Sequence, residues 1–143
     1  KRNEKLNKLL NQGNEKLGLH LGIISNITGE KYTVFAIDSR YEGIKLGDEF
    51  ELYDTYCKDV AKNKKTMTYK DVAEITEMLQ HPVYLATQLR AYVGTPIYVN
   101  EKFWGTLNYT SRSPKKEPFT ADELQFIENQ AQEASGIIEK SLA

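Results

Sequence analysis

A chain of 143 residues has the length of one domain, since domains commonly run ~100–150 residues around a single core. A composition of 40% hydrophobic, 10% aromatic and 27% charged residues is that of a globular protein and excludes a disordered one. Nineteen Lys plus Arg against twenty Asp plus Glu leave a net charge of −1, so no whole-molecule field draws a polyanion and nucleic acid is not an expected partner.

The chain opens Lys1-Arg2-Asn3-Glu4, without an initiator methionine and in what reads as the middle of a helix, as expected of a piece of a longer protein. Leu6, Leu9, Leu10 and Leu17 fall along one stripe of that helix, which is assigned to residues 1–18. From Leu19 to Ile27 and from Tyr32 to Ile37 the residues become β-branched and aromatic, with Thr28-Gly29-Glu30-Lys31 as a hairpin turn between two antiparallel strands. Asp38 to Phe50 reads as a charged, glycine-containing loop, and Asp54 is placed to cap a short helix through about Ala61. Thr66 to Tyr69 predicts a short strand, Asp71 to Leu79 a turn or two of helix, and Pro82 the first turn of a helix reaching about Gln88.

Arg90 to Val99 and Phe103 to Thr110 flank Asn100-Glu101-Lys102 and predict a second hairpin. Pro96 removes one ladder donor, so its strand is expected to be an edge or to bulge there. After the loop Arg112 to Pro118, Thr120-Ala121-Asp122-Glu123 forms a capping box for a long last helix within residues 119–143. Leu124, Ile127, Ala131, Ala134 and Ile138 follow at steps of three and four. That seam predicts either a partner helix or packing on the chain's own sheet. The segments together give an α+β class, a small antiparallel sheet over residues 19–118 covered by helices.

Enzyme signatures are few. Gly13 and Gly18 have the glycine spacing of a phosphate loop, but Leu19-His20 stand where Lys and Ser/Thr are required. His20, His81 and Cys57 show no metal-ligand spacing, so no metal site is predicted. Cys57 is the only cysteine, which excludes an internal disulfide. Read as the start of a helix, its position would lower a thiol pKa, which makes it a candidate redox group as well as a candidate buried apolar residue. Tyr56, Tyr84, Tyr92, Tyr98 and Tyr109 fall in segments able to build a half-polar cavity. The Asn26-Ile27-Thr28 and Asn108-Tyr109-Thr110 sequons lie inside predicted strands and read as chance matches. No apolar run approaches the ~20 residues that span a bilayer, and no secretory signal is visible. A cytoplasmic setting is expected, whether free or as the cytosolic part of a larger membrane-attached protein.

With these segments in place the chain resembles a GAF domain, the small-ligand sensory module of bacterial histidine kinases, diguanylate cyclases and phosphodiesterases. The resemblance rests on Leu21-Gly22-Ile23-Ile24-Ser25; on Phe50-Glu51-Leu52-Tyr53-Asp54-Thr55-Tyr56-Cys57; on His81-Pro82-Val83-Tyr84; on Ala91-Tyr92-Val93-Gly94-Thr95-Pro96-Ile97-Tyr98-Val99 with Trp104-Gly105-Thr106-Leu107-Asn108-Tyr109; and on Pro118-Phe119-Thr120-Ala121-Asp122-Glu123. It implies a profilin-like, PAS-related sheet of about six antiparallel strands, terminal helices on one face and a ligand cavity on the other. It also implies a homodimer through Leu6, Leu10, Leu17, Leu124, Ile127, Ala131, Ala134 and Ile138, continuing into an output domain. By position it places Tyr53, Tyr56, Cys57, His81, Tyr84, Tyr92, Trp104, Thr106 and Asn108 in or near the cavity wall. Strand alternation puts Trp104, Thr106 and Asn108 on one common face.

The cofactor is left unknown. The Asn-Lys and Phe…Asp-Glu signature of cyclic-nucleotide-binding members is missing, and Lys58 follows Cys57 where a bilin-attaching cysteine is commonly followed by histidine, so cyclic nucleotide and covalent bilin are both disfavoured. Free methionine sulfoxide reductase, the enzymatic branch, works with several cysteines, and one thiol cannot resolve its own oxidation. The expected function is a non-enzymatic sensor in a two-component or cyclase-type protein. The alternatives are a ligand-free dimerisation module and a Cys57-dependent redox sensor or reductase.

Overall fold

The computed structural model describes every residue from Lys1 to Ala143. Helix α1 (Arg2–Leu17) buries Leu6, Leu9, Leu10, Gly13, Asn14 and Leu17 and ends at Gly18, whose left-handed φ of 69° turns the chain so that the next N–H, of Leu19, also reaches the Asn14 carbonyl at 3.1 Å. Gly13 and Gly18 are therefore a packing position and a helix stop rather than parts of a phosphate loop.

Strands β1 (Leu21–Thr28) and β2 (Lys31–Ser39) form the first hairpin, β3 (Glu49–Glu51) and β4 (Met67–Tyr69) are short, and β5 (Ala91–Val99) and β6 (Lys102–Ser111) form the second hairpin. They make one antiparallel six-stranded sheet in the order β3-β2-β1-β6-β5-β4. Between the strands lie α2 (Lys58–Asn63) and α3 (Pro82–Thr87), and the chain closes with α4 (Ala121–Leu142).

Period-two alternation gives the sheet two apolar faces. Ile24, Ala36, Val93, Ile97, Leu107 and Tyr109 pack under α1 and α4. Leu21, Ile23, Tyr32, Val34 and Tyr92 face the other way, against Tyr56, Cys57, Val60, Val72 and Leu89 of the segment joining β3 to β5. The capping box at Thr120 and Glu123 starts α4 as read from sequence, both reciprocal hydrogen bonds being present.

The structure differs from the sequence reading in two of these elements and decides two expectations that were left open. The region read as a loop ends in β3, whose three residues are exposed and so carry no apolar alternation. Asp54 caps no helix: Leu52–Asp54 is a 3₁₀ turn, and extended Thr55 intervenes before α2, which starts with Cys57 at its N-cap. The Thr55 hydroxyl accepts the Cys57 N–H at 3.2 Å. Of the two expectations for Pro96 the edge holds, since β4 covers its strand only at Tyr92 to Gly94, and the bulge comes one step later, between Ile97 and Tyr98. Lastly, the α4 seam is occupied within the chain. Leu6, Leu10, Leu17, Ile127, Ala131, Ala134 and Ile138 are buried in its own core and Leu124 packs against them, so any helix-to-helix dimer has to use other faces of α1 and α4.

Two bulges flank β1. Ile24 pairs Ala36 while Ser25 pairs Val34, leaving Phe35 as an extra residue. On the other side Ile97 pairs Gly105 while Tyr98 pairs Phe103, leaving Trp104 extra. Both aromatics pack on the helix-side core, edge to face with centroids 4.8 Å apart. Trp104 is thereby removed from the face that holds Thr106 and Asn108, which corrects the expectation that the three share one face.

Candidate functional site

On the face away from the terminal helices, α2, α3 and the turns around them roof a cavity of about 90 Å³ whose walls include Leu21, Ile23, Tyr32, Ile44, Phe50, Tyr56, Cys57, Val83, Leu89 and Tyr92, with Asn108 and Thr110 from β6. Asp54, Thr55 and Thr87 complete the lining.

Cys57 is the hub. Thr106 Oγ1 donates to its sulfur at 3.2 Å and Asn108 Nδ2 at 3.3 Å, and Tyr92 Oη lies 3.1 Å away. Asn108 Nδ2 also donates to Tyr32 Oη at 3.2 Å, and Ser25 Oγ lies 2.6 Å from Thr106 Oγ1. Burial pushes the Cys57 thiol up, only partly offset by the hydrogen bonds from Thr106, Tyr92, Tyr32 and Asn108. The helix start was expected to lower that pKa. Complete burial outweighs the end of a six-residue helix, and the group is a neutral thiol at physiological pH. Burial likewise holds Tyr32 and Tyr92 well above the usual phenol value.

Around this hub, Tyr56, Tyr69 and Tyr92 pack with centroids 5.6 to 6.1 Å apart, and Tyr56 Oη donates to the Leu89 carbonyl at 2.8 Å. His81 caps α3, its Nδ1 accepting the Val83 N–H at 3.2 Å. Its pKa is lowered, by burial first and by Lys58 second.

The sequence-predicted site residues thus separate into groups. Tyr56, Cys57, Tyr92 and Asn108 line the cavity. Thr106 stands behind the sulfur. His81 and Tyr84 belong to the packing around α3, His81 lying 4.9 Å from the Tyr56 ring. Tyr53 is 61% exposed on a separate surface groove with Lys58 and Phe103, and Trp104 is on the opposite face. His20, just before β1, bonds Tyr41 and Ser111 at one end of the central strands and does not line the cavity. The reading missed Tyr32 and Thr110. Extending the alternation from Asn108 by two would have reached Thr110, whereas Tyr32 is announced only by its hydrogen bond to a residue 76 positions away.

A family profile for the GAF domain matches residues 2–139. The chain belongs to the GAF domain family. That family comprises sensory and regulatory modules of signalling proteins, and the six-stranded sheet with its helices is the fold expected of it. Among solved structures, the GAF domain of an Acinetobacter phosphoenolpyruvate-protein phosphotransferase is similar, with a TM-score of 0.78 at 14% identity over 99% of this chain and 84% of that one. The phycocyanobilin-bound GAF domain of a cyanobacterial phytochrome superposes with a TM-score of 0.77 at 16% identity, covering 99% of this chain and 86% of that one. A phycoerythrobilin-bound GAF domain from a cyanobacterial phytochrome gives 0.76 at 15% identity over 99% and 87%. No curated protein matches the chain. The bilin-bound structures overturn the disfavouring of bilin that was drawn from Lys58 after Cys57; GAF domains of this fold are found with phycocyanobilin and phycoerythrobilin bound. No helix of this GAF domain is long and apolar enough to cross a membrane.

Proposed function

We propose that this GAF domain is the sensor of a longer signalling protein, in which a small molecule in the Cys57 cavity alters the packing of α1 against α4 and so the activity of an attached kinase or cyclase. The observation that carries the reading is on β6. Asn108 and Thr110 line the cavity, and Tyr109 between them points through the other face into the helix pair. Its hydroxyl donates to Gln130 Oε1 at 2.5 Å, and Gln130 Nε2 donates to the Leu9 carbonyl at 2.9 Å. One strand therefore touches the cavity and both terminal helices. A ligand exerts control only through different affinities for two helix arrangements. A homodimer would use the faces of α1 and α4 turned away from the core.

The test pairs binding with geometry. Titrate a metabolite panel by calorimetry while spin labels at exposed Lys8 and Glu133 report the α1–α4 distance. A binder that changes the distance supports the reading, and a tight binder that leaves it unchanged defeats the coupling. The small cavity and the mutually satisfied Cys57 cluster favour one second reading, a dimerisation module that takes no ligand, which predicts concentration-dependent dimers that no metabolite perturbs. Catalysis by Cys57 has less support, since its thiol is neutral and alone.

A further inference from the structure

The roof of the cavity is fastened differently at its two ends. None of the six residues of α3 is fully buried, so packing alone holds this helix weakly and its end contacts decide whether it stays down. At the C-terminal end Arg112 Nε donates to the Thr87 carbonyl at 3.1 Å, and Tyr56 Oη donates to the Leu89 carbonyl at 2.8 Å. The N-terminal end rests on His81. Its Nδ1 accepts the Val83 N–H at 3.2 Å, and its ring lies 4.9 Å from that of Tyr56 in the cavity wall.

An Nδ1 that accepts an N–H carries no proton, so this bond exists only with the neutral ring. A proton added at Nδ1 sets N–H against N–H. Nε2 gives the resulting cation no outlet, being fully buried without a hydrogen bond, and His81 as a whole is 6% exposed. The groups around the ring are divided. Lys58 of α2 opposes a cation, whereas Asp59 of α2, Asp54 of the turn before it and the Thr55 backbone favour one; Glu77, on the turn before α3, is exposed. Burial and Lys58 prevail, and the neutral ring is the folded form.

We infer that His81 is an acid-sensitive latch: its protonation breaks the bond to Val83, frees the ring from Tyr56 and lets the N-terminal end of α3 lift about the tethered C-terminal end, opening the cavity beside Val83. The latch governs entry to the site of the sensor reading and rests on that reading for its purpose, while the lifting itself is measured without a ligand. The sign follows from where the proton goes. A ring released into water titrates at its ordinary value of 6.5, above that of the latched ring. Above pH 6.5 both forms are neutral and the latch holds; below it the open form takes up the proton first, and the open-to-closed ratio rises by up to about tenfold per pH unit.

The experiment follows two rates on the 143-residue chain from pH 7.5 to 5.0. One is amide exchange at Val83 and at Leu85, whose N–H bonds the His81 carbonyl. The other is labelling by dithiodipyridine of Cys57, the single thiol and part of the cavity wall. Each is divided by the rate of an unstructured peptide of the same local sequence at the same pH. Both ratios are expected to rise about three- to tenfold on acidification. His81→Asn, which caps without titrating, should stay flat at the closed level, and His81→Ala should be open at every pH by a factor of about 2 to 30, the scale of a lost N-cap. Flat ratios in the parent chain, an acid response retained in His81→Asn, or exchange that quickens as much at Ile24 and Leu107 of the sheet as in α3 overturns the latch. None of these outcomes touches the sensor reading, which falls only on the panel and distance measurements described for it.

Discussion

Cys57 stands at a helix N-cap, yet it is 2% exposed and its sulfur faces hydroxyls and an amide rather than a cation. Desolvation of a thiolate outweighs what those dipoles return. The same holds for the phenols of Tyr32, Tyr92 and Tyr109, all raised by burial. The sign of the linkage follows. Below the unfolded-state values of 9.0 for the thiol and 10.0 for the phenols, both states are protonated and the full stability is present. Above them the unfolded chain releases protons that the folded chain retains, so stability falls, by up to about 1.4 kcal/mol per pH unit for each such group. Urea unfolding from about pH 8 to pH 10.5 should therefore show a decline beginning near pH 9 and steepening beyond 10; a flat profile would contradict the assigned burial. At this scale sequence was informative about residue type and poor about surroundings. Tyr56, Cys57, Tyr92 and Asn108 were found because motif order places them, whereas Tyr53, in the same run as Tyr56 and Cys57, points outward because a 3₁₀ turn breaks the pattern.

Elements with strong internal periodicity were legible. Both long hairpins, the first helix and the capped last helix all follow from patterns that local physics enforces. In the segment from β3 to α3, β4, the turns after it and α3 fall where the sequence places them, whereas β3 was hidden, because its three residues are exposed and owe their pairing to the sheet rather than to themselves. The bulge at Trp104 was equally hidden, since one inserted residue leaves the composition of a strand unchanged. Its structural requirement lies next door: a Cβ on Gly105 would come within 1.8 Å of the Ser25 carbonyl oxygen, a backbone atom that cannot swing aside. Gly105→Ala is expected to cost about 3 kcal/mol or more, beyond ordinary overpacking. Gly136 on α4 meets nothing within 4 Å, and Gly136→Ala should instead stabilise by about 0.5–1 kcal/mol through helix propensity. Thermal melts of the pair would check both signs.

Over the whole molecule, the chain shares its two long helices between a structural task and a proposed signalling one. Their apolar stripes close the core of a single copy, with Leu6, Leu10, Ile127 and Ile138 fully buried. Ile138→Ala is accordingly expected to lower monomer stability by about 2–5 kcal/mol. Sedimentation of the folded fraction should show an association state like that of the parent chain; loss of dimers without loss of stability would return the seam to an intermolecular role. The heptad-like spacing could not distinguish these cases, because a helix resting on a sheet and one resting on a second helix ask for the same apolar positions.

The Tyr109 ring occupies space left by two missing side chains: a Cβ on Gly13 would come within 1.9 Å of its hydroxyl, and one on Gly22 within 2.8 Å of its ring edge. Positions 13, 22 and 109 consequently constitute a single steric allele. Sequences descending from a common ancestor should exchange all three together, trading the phenol for a smaller group whenever either glycine gains a methyl, and a lineage altered at one of them alone should be rare.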